Sequence, residues 1–365
     1  MANHNFKLPG NRLENVLNPT GLSILDAVNG GNSQAGELYG IHSFTGGGAT
    51  TLSCMIAAEG AVAEWKAAYP QSCKRRWCIV VTEQSKTEVM MYVYSYLAGV
   101  DFDEVQNSHK NIPAMPSEKL SHILDYVAQF GPGDELSRCV LAKTILDHCL
   151  VVVEDQSSSN SSLWSPATLL SDIISKAVGP LSDLAGLVVD GTGYFIDEYL
   201  KITKEPDKAR PRLYREFLSG CRKMIAEPSS CPVWINHRLR SALAKSSPSE
   251  LLTHKDLSEC SRFSQYLDAC FVLGNKDING RFYLRCTKGP YDFTPAPSVV
   301  EFSPDGVRKI IENHDAIIES PSPKTWVSDS PVNIDDQTLK EIKQLKAEHV
   351  AKKFWFIKDE IHLSE

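Results

Sequence analysis

The sequence predicts an α/β fold: a mostly parallel, twisted sheet with helices on both of its faces. Apolar, strand-like runs alternate with helical patterns along the chain, which is the rhythm of strand–helix–strand units. The runs are continuously apolar rather than alternating in polarity, as expected for strands buried on both faces. A glycine-rich turn at 46–48 joins the first run to a helical segment. Together these observations favour one main α/β domain.

The individual strands follow from the same pattern. Six segments are predicted to form the parallel part of the sheet: 37–42, 77–82, 150–154, 186–190, 233–236 and 269–273. Two shorter segments, 281–287 and 298–302, come later and are separated by a stretch rich in glycine and proline. They are predicted to extend the sheet on its C-terminal side with antiparallel strands. A helix is predicted to begin at Thr50, directly after the glycine turn.

Four regions are expected along the 365 residues. Residues 1–17 form an N-terminal arm, 18–320 the main domain, 321–336 a proline-containing acidic linker, and 337–365 a C-terminal helix and tail. The terminal helix places several apolar residues on roughly one face. That face is expected either to pack on its own domain or to dock on a neighbouring copy or a replication partner.

Composition narrows the classes of function. The chain is 42% hydrophobic and 23% charged, and no apolar run approaches the ~18 residues that a membrane helix needs. Its formal net charge of −7 argues against coating duplex DNA by bulk attraction, although a local basic channel is compatible with it. Ten cysteines without C-x-x-C pairs are expected to be small buried hydrophobes in a reducing compartment. A cytoplasmic protein, or a viral protein acting in the host cytoplasm, is therefore expected.

Residues 40–52 match the phosphate-loop pattern G-x-x-x-x-G-K-[ST] with two departures. Alanine stands at position 49 in place of lysine, and serine stands at position 43 in place of the first glycine. Backbone amides of such a loop, and the helix start behind it, would face phosphate oxygens. The predicted nucleotide-binding residues are Ser43, Thr45, Gly46, Gly47, Gly48, Ala49, Thr50 and Thr51. The alternative is a glycine-rich turn that merely connects a strand to a helix.

Polar residues lie at the ends of three other predicted strands. Glu83, Asp190 and His237 each come at or directly after the carboxyl end of an apolar run. Because the carboxyl ends of parallel strands open onto one crevice, these side chains and the loop are expected to converge. Taken singly, Asp190 could be a turn residue, Glu83 a helix-capping acid and His237 a satisfied loop histidine.

The order of these motifs resembles the RecA-type motor domain of DnaB-type replicative helicases and their KaiC and RecA relatives. The segments that carry the resemblance are 20–26, 30–31, 36–52, 77–85, 97–101, 187–190, 232–237, 256–259 and 265–268. They span roughly residues 18–302. The resemblance implies a RecA-like fold, ATP and Mg²⁺ as ligands, single-stranded DNA as a partner, and assembly into a hexameric ring or a filament.

The resemblance also implies roles for single residues. Thr50 and Asp190 would hold Mg²⁺, Glu83 would activate the attacking water, and His237 would sense the γ-phosphate. Arg285 stands at the first of two basic positions that reach a neighbour's site in the helicases, whereas Thr287 stands at the second. With Ala49 and Thr287 present, little turnover is expected unless Arg285 or Lys288 substitutes. Ala49 is either a natural feature of a degenerate motor or a deliberate replacement.

Two basic segments follow the predicted strands that end at 190 and 236. In the resembling fold such loops contact nucleic acid, and basic loops in an acidic chain suit a single strand held through its phosphates. The candidate nucleic-acid-binding residues are Lys208, Arg210, Arg212, Arg238, Arg240 and Lys245. An ordinary solvated surface is the alternative for each of them.

The sequence therefore predicts an ATP-binding protein that resembles a hexameric DNA helicase or single-strand translocase, with hydrolysis impaired by Ala49. One alternative is a non-catalytic assembly protein built on a degenerate RecA fold. Another is a recombinase-like protein that forms filaments on single-stranded DNA.

Overall fold

The computed structural model describes residues 20, 22–28, 36–68, 71–108, 135–154, 165–241, 243, 252–253, 256–257, 263–289 and 297–313. The expected N-terminal arm, linker and C-terminal helix, and the candidate Lys245, lie outside the described residues. None of the helices within the described ranges is long and apolar enough to cross a membrane.

The strands of the described residues form one nine-stranded sheet in the order β3-β2-β4-β5-β1-β6-β7-β8-β9. They are β1 Leu38–Ser43, β2 Arg76–Val81, β3 Leu150–Glu154, β4 Leu184–Asp190, β5 Val233–Arg238, β6 Ala269–Leu273, β7 Phe282–Lys288, β8 Ser298–Phe302 and β9 Ile310–Glu312. All pairings among the first six strands are parallel. The pairs β6–β7, β7–β8 and β8–β9 are antiparallel. The predicted parallel sheet with an antiparallel extension is confirmed, and β9 adds a strand that was not predicted.

Helices cover both faces of the sheet. They are α1 Ser23–Val28, α2 Ala49–Ala68, α3 Lys86–Ala98, α4 Phe102–Ser108, α5 Glu135–Cys149, α6 Pro166–Val178, α7 Gly193–Thr203 and α8 Arg210–Gly220, which continues through a π-helical turn at Cys221–Ala226 to α9 Glu227–Ser229. Side chains of α2, α3 and α5 pack in one hydrophobic core, and those of α6, α7 and α8 in another. Strands buried between two such layers need apolar residues on both sides, which explains their continuous hydrophobicity.

The register of the parallel strands fixes where the site lies. His42 in β1 pairs with His237 in β5, and Val81 in β2 pairs with Asp190 in β4. The carboxyl ends of these four strands therefore meet at one edge of the sheet, as expected.

A disulfide joins Cys73 to Cys149, whose Cα atoms are 5.7 Å apart. The expectation that all cysteines are free thiols is wrong for this pair. Cys73 lies shortly before β2 and Cys149 directly before β3, and these strands are parallel neighbours, so residues 76 positions apart meet at their amino ends. The other described cysteines, which are Cys54, Cys78, Cys139, Cys221, Cys231, Cys270 and Cys286, are buried thiols as expected. The cysteines thus no longer support a reducing compartment.

Candidate functional site

The glycine-rich loop between β1 and α2 has a tightly turned backbone. Gly46 and Gly48 have φ angles of 74° and 96°, in the left-handed region that favours glycine. The Gly47 amide donates to the Phe44 carbonyl at 2.8 Å, which closes the turn. Because α2 begins at Ala49, directly after the glycine turn, the positive end of its helix dipole lies at the loop. The loop therefore presents amides at the place where an anion would bind.

The loop forms one wall of a cleft with a volume of about 660 Å³, which lies within the range of small-ligand sites. All eight predicted nucleotide-binding residues line it, as do Glu83, Asp190 and His237. The structure thus brings the loop and the predicted strand-end residues together. Tyr92, Asn236, Lys276, Phe302 and Arg308 also line the cleft. No sequence motif marks these five residues as part of the site.

Asp190 lies at the centre of a buried hydrogen-bond network. The Thr50 hydroxyl donates to its two carboxylate oxygens at 3.2 and 3.1 Å, and Asn236 Nδ2 donates to Oδ1 at 2.6 Å. Ser53 Oγ in turn donates to Asn236 Oδ1 at 2.8 Å. The two predicted Mg²⁺ ligands therefore touch, and the carboxylate is held in one orientation.

Burial raises the pKa of Asp190, which is only 6% exposed. Hydrogen bonds from Asn236 and Thr50 oppose this rise, and the nearby charges of Glu83 and Arg238 act in opposite directions. A buried carboxylate with a raised pKa gains from a cation beside it.

The oxygen donors fit a magnesium ion. A hydroxyl and a carboxylate are hard ligands, and Mg²⁺ is usually held by one or two protein oxygens together with phosphate oxygens and waters. Within the described residues no group of three or more His, Cys, Asp or Glu side chains could hold a metal ion. Thr50 and Asp190 offer two oxygen ligands, and the remaining positions around such an ion would be filled by waters or phosphate oxygens.

Glu83 stands at the rim of the cleft in an ion pair. Arg238 NH2 lies 2.5 Å from Glu83 Oε2, and both side chains are about half exposed. The preceding Thr82 hydroxyl donates to the carbonyls of Asp190 and Gly191 at 2.7 and 3.1 Å, which ties the end of β2 to the end of β4. Glu83 is thereby held next to Asp190 while its carboxylate is engaged by Arg238.

His237 lies in the wall of the cleft with its ring fixed. The ring stacks on Phe263 at 4.3 Å between centroids and meets the edge of Tyr214 at 5.0 Å. Its Nδ1 lies 2.9 Å from Thr192 Oγ1, within hydrogen-bond distance. These contacts leave the side chain 6% exposed in the position predicted for a phosphate sensor.

Arg285 and Lys288 do not line this cleft. Arg285 lies in β7 opposite Val272 of β6. Lys288 donates its amine to the carbonyls of Ser264 and Leu267, so it stabilises the backbone near the start of β6. Neither side chain replaces the missing loop lysine within the same chain, and a role for Arg285 in a neighbouring copy stays a prediction.

The candidate nucleic-acid residues fall into two groups. Arg210 and Arg238 line the nucleotide-sized cleft, whereas Lys208, Arg212 and Arg240 do not. Arg210 pairs with Asp197 at 2.6 Å and with Asp207 at 3.3 Å.

Two further arginines of this set also have partners within the chain. Arg212 pairs with Glu205 and Glu216, and Arg240 donates to the Leu257 carbonyl at 3.0 Å. Lys208 is exposed. Acidic partners compensate much of the charge that the sequence analysis assigned to DNA contacts.

No protein-family model matches the chain, and no curated protein matches it. Among solved structures the chain is similar to the "ATPase Domain of G40P", with a TM-score of 0.51 and 10% sequence identity over 80% of this chain and 90% of that chain. A second similar structure is that of the RadB recombinase, with a TM-score of 0.44 and 15% identity over 81% of this chain and 99% of that chain. At this identity the likeness to the first structure shows the fold alone: the chain has the RecA-like α/β fold that its motifs predict.

Proposed function

We propose that this RecA-like chain binds ATP with Mg²⁺ in the cleft at the carboxyl ends of β1, β2, β4 and β5. It acts on single-stranded DNA as a helicase or translocase in a homo-oligomer, and its hydrolysis is impaired because Ala49 replaces the loop lysine. The observation that carries the proposal is the Thr50–Asp190–Asn236 network directly behind the glycine loop. A connector turn would not need a buried, hydrogen-bonded carboxylate at its back.

Binding follows from the loop. The amides of Gly46 and Gly48 and the start of α2 are donors that do not depend on a lysine, whereas the Gly47 amide already donates to the Phe44 carbonyl. Thr50 and Asp190 would hold Mg²⁺, which neutralises phosphate charge when it is bound. ATP is therefore expected to bind, with lower affinity than in a loop that has its own lysine.

Hydrolysis needs a base near the γ-phosphate. Glu83 is the carboxylate at the rim that can orient a water and accept its proton as the water oxygen attacks phosphorus and ADP leaves. In the described state its Oε2 is bound by Arg238, so turnover requires that this ion pair loosen. His237, whose ring is held by Thr192, would contact the terminal phosphate.

Assembly would complete the site. Arg285 lies on β7 outside its own cleft, which suits a residue that reaches the cleft of a neighbouring copy. A homo-oligomer, as a hexameric ring or a filament, is proposed on this basis.

A non-catalytic assembly protein is the second candidate. It is favoured by the pairing of Glu83 with Arg238 together with Ala49 and Thr287, since these three features all lower turnover. In that case the cleft would stabilise subunit contacts without chemistry.

The test is calorimetric titration of the chain with ATP and Mg²⁺, followed by a hydrolysis assay with and without single-stranded DNA. We expect the unmodified chain to bind ATP and Asp190→Ala to bind it more weakly. Asp183→Asn should leave the affinity unchanged, because Asp183 lies just before the amino end of β4, away from the cleft. Slow hydrolysis stimulated by DNA would support the motor. Absence of binding at millimolar ATP would contradict the proposal and favour assembly without nucleotide.

A further inference from the structure

A lysine from another part of the chain reaches the loop that lacks one. Lys276 lies in the turn between β6 and β7 and lines the cleft. Its amine donates to the carbonyl of Gly46 at 3.2 Å. A cation therefore lies at the glycine-rich turn, although position 49 carries only a methyl group.

The strand order of the sheet explains why Lys276 lies beside the glycine-rich loop. β6 is the parallel neighbour of β1 on the side opposite β5. The segment that leaves the carboxyl end of β6 therefore emerges beside the loop that leaves the carboxyl end of β1. A hydrogen bond and an ion pair stabilise the β6–β7 turn. Gly274 N donates to the Tyr283 carbonyl at 2.9 Å, and Arg281 pairs with Asp277 at 2.7 Å.

Aromatic packing directs the amine toward the loop. Lys276 Nζ lies 4.3 Å from the centroid of the Phe302 ring, in cation–π distance. The same ring packs beside the loop backbone, since a Cβ built on Gly48 would lie 3.1 Å from Phe302 Cζ. The Phe302 ring thus lies close both to the Lys276 amine and to Gly48, the residue that precedes Ala49.

The charge of Lys276 is not compensated locally. Of the other cations that line the cleft, Arg210 and Arg238 are paired with carboxylates, and the Arg308 guanidinium lies over the rings of Tyr92 and Phe102. Among the described residues Lys276 has no ion-pair partner, and the protein packed around its amine lowers its pKa. A partly desolvated cation that faces a cleft and has no anion of its own favours a bound anion.

We propose that Lys276 supplies in cis the phosphate-binding cation that the loop lacks, and that it contacts the β- and γ-phosphates of a nucleoside triphosphate. This proposal rests on the proposed nucleotide binding and deepens it. It explains how the loop can carry Ala49 while the rest of the site keeps its groups. On nucleotide binding the amine would exchange the Gly46 carbonyl for phosphate oxygens.

The first test measures the affinity for ATPγS and Mg²⁺ by calorimetry. Lys276→Met keeps an unbranched apolar side chain and removes the charge, so the dissociation constant should rise roughly 10- to 100-fold, the worth of one hydrogen bond to a charged group. Lys309→Met is the matched control. Lys309 pairs with Asp305 between β8 and β9, does not line the cleft, and should leave the affinity unchanged.

The second test is rescue. In the Lys276→Met background, Ala49→Lys should restore most of the lost affinity, because a lysine at 49 would reach the same phosphates. In the unmodified background Ala49→Lys should add much less. A folded double variant that binds as weakly as Lys276→Met would assign the loss to packing on Phe302 and overturn the proposal.

The outcomes separate the two proposals. If the unmodified chain binds ATPγS and Lys276→Met binds within twofold of it, only the role of Lys276 is overturned. No binding by the unmodified chain overturns both. Should Lys276→Met fail to fold, reductive methylation of the unmodified chain decides: ATPγS should slow modification of Lys276 but not of Lys309, and equal rates would overturn the proposal.

Discussion

The carboxylate of Asp190 determines how the site responds to pH and to metal. Because burial raises its pKa, the folded state holds this proton more tightly than the unfolded state. The stability from this group is present at low pH and is lost as pH rises from the ordinary carboxyl range through the raised pKa. Above this raised pKa and without a cation, the ionised Asp190 therefore lowers the free energy of unfolding.

Asp190→Asn should then raise the melting temperature at pH 7 in the absence of Mg²⁺ and nucleotide. An amide oxygen in the place of Oδ1 can keep the hydrogen bonds from Asn236 and Thr50. The stabilisation that ATP and Mg²⁺ give the unmodified chain should disappear. Thermal unfolding at several pH values, with and without ligands, measures both effects. A variant that melts lower than the unmodified chain at pH 7 without ligand would contradict this assignment.

Position 49 should control rate more than affinity. If Lys276 already holds the phosphates, Ala49→Lys adds a second cation that acts mainly on the charge developing during hydrolysis. ATPase activity should therefore appear or rise, and adding Glu83→Gln should reduce it by about 10² or more, the usual worth of a general base. Steady-state phosphate release measures both variants.

A different result at this position would also be informative. An Ala49→Lys variant that folds and binds nucleotide but stays inert would indicate a naturally degenerate site. Thr287, which stands where the helicases carry a second basic residue, would then be the next position to change.

At the residue scale, the order of motifs in the sequence predicted much of the site but did not predict Lys276. Thr50, Asp190, Glu83 and His237 were predicted to converge because each follows a strand, and all four line the cleft. Lys276 follows β6 in the same way, but no motif marked it. Lys276 lies near the loop because β6 pairs with β1, and this pairing cannot be read from the local sequence.

At the scale of elements, the parallel strands were predictable because both faces of each are buried, which leaves long apolar runs in the sequence. The short strand Ile310–Glu312 was not predicted, since three residues at the edge of a sheet carry little pattern. The disulfide was also missed: no local spacing reveals two cysteines that meet only because β2 pairs with β3.

The Cys73–Cys149 bridge should stabilise the sheet edge that carries β2 and β3. It closes a loop of 76 positions, for which a loss of about 2–4 kcal/mol in the free energy of unfolding is expected on reduction. Denaturant unfolding with and without a reductant measures this loss. In the double variant Cys73→Ala/Cys149→Ala the reductant should have no effect. Identical stability of the oxidised and reduced unmodified chain would contradict a structural role.

For the whole molecule, the arginines proposed to bind DNA lie in a chain with a net charge of −7 and are largely paired. Lys208 and Arg212 are the members that lie outside the cleft near the start of α8. Lys208→Gln/Arg212→Gln should weaken single-strand binding and reduce its salt slope by up to about 0.7 for each phosphate that the variant no longer binds. Nucleotide affinity should stay unchanged.

The matched control is Lys66→Gln/Lys176→Gln. Both lysines are exposed in the last turns of α2 and α6, toward the amino ends of the strands and away from the cleft. Arg75 is a poor control because it donates to the carbonyls of Leu184 and Ser229 and supports the fold. Equal weakening of single-strand binding by both double variants would show general charge attraction. If the unmodified chain has no single-strand affinity at low salt, the motor function is contradicted and the assembly role remains.

The most direct measurement is a crystal structure of the chain with ATPγS and Mg²⁺. The β- and γ-phosphates should lie at about 3 Å from the amides of Gly46 and Gly48. Thr50 and Asp190 should face the metal, and Lys276 Nζ should have left the Gly46 carbonyl for a phosphate oxygen. A nucleotide bound outside this cleft, or a loop that stays empty at saturating ligand, would contradict the assignment of this fold to ATP binding.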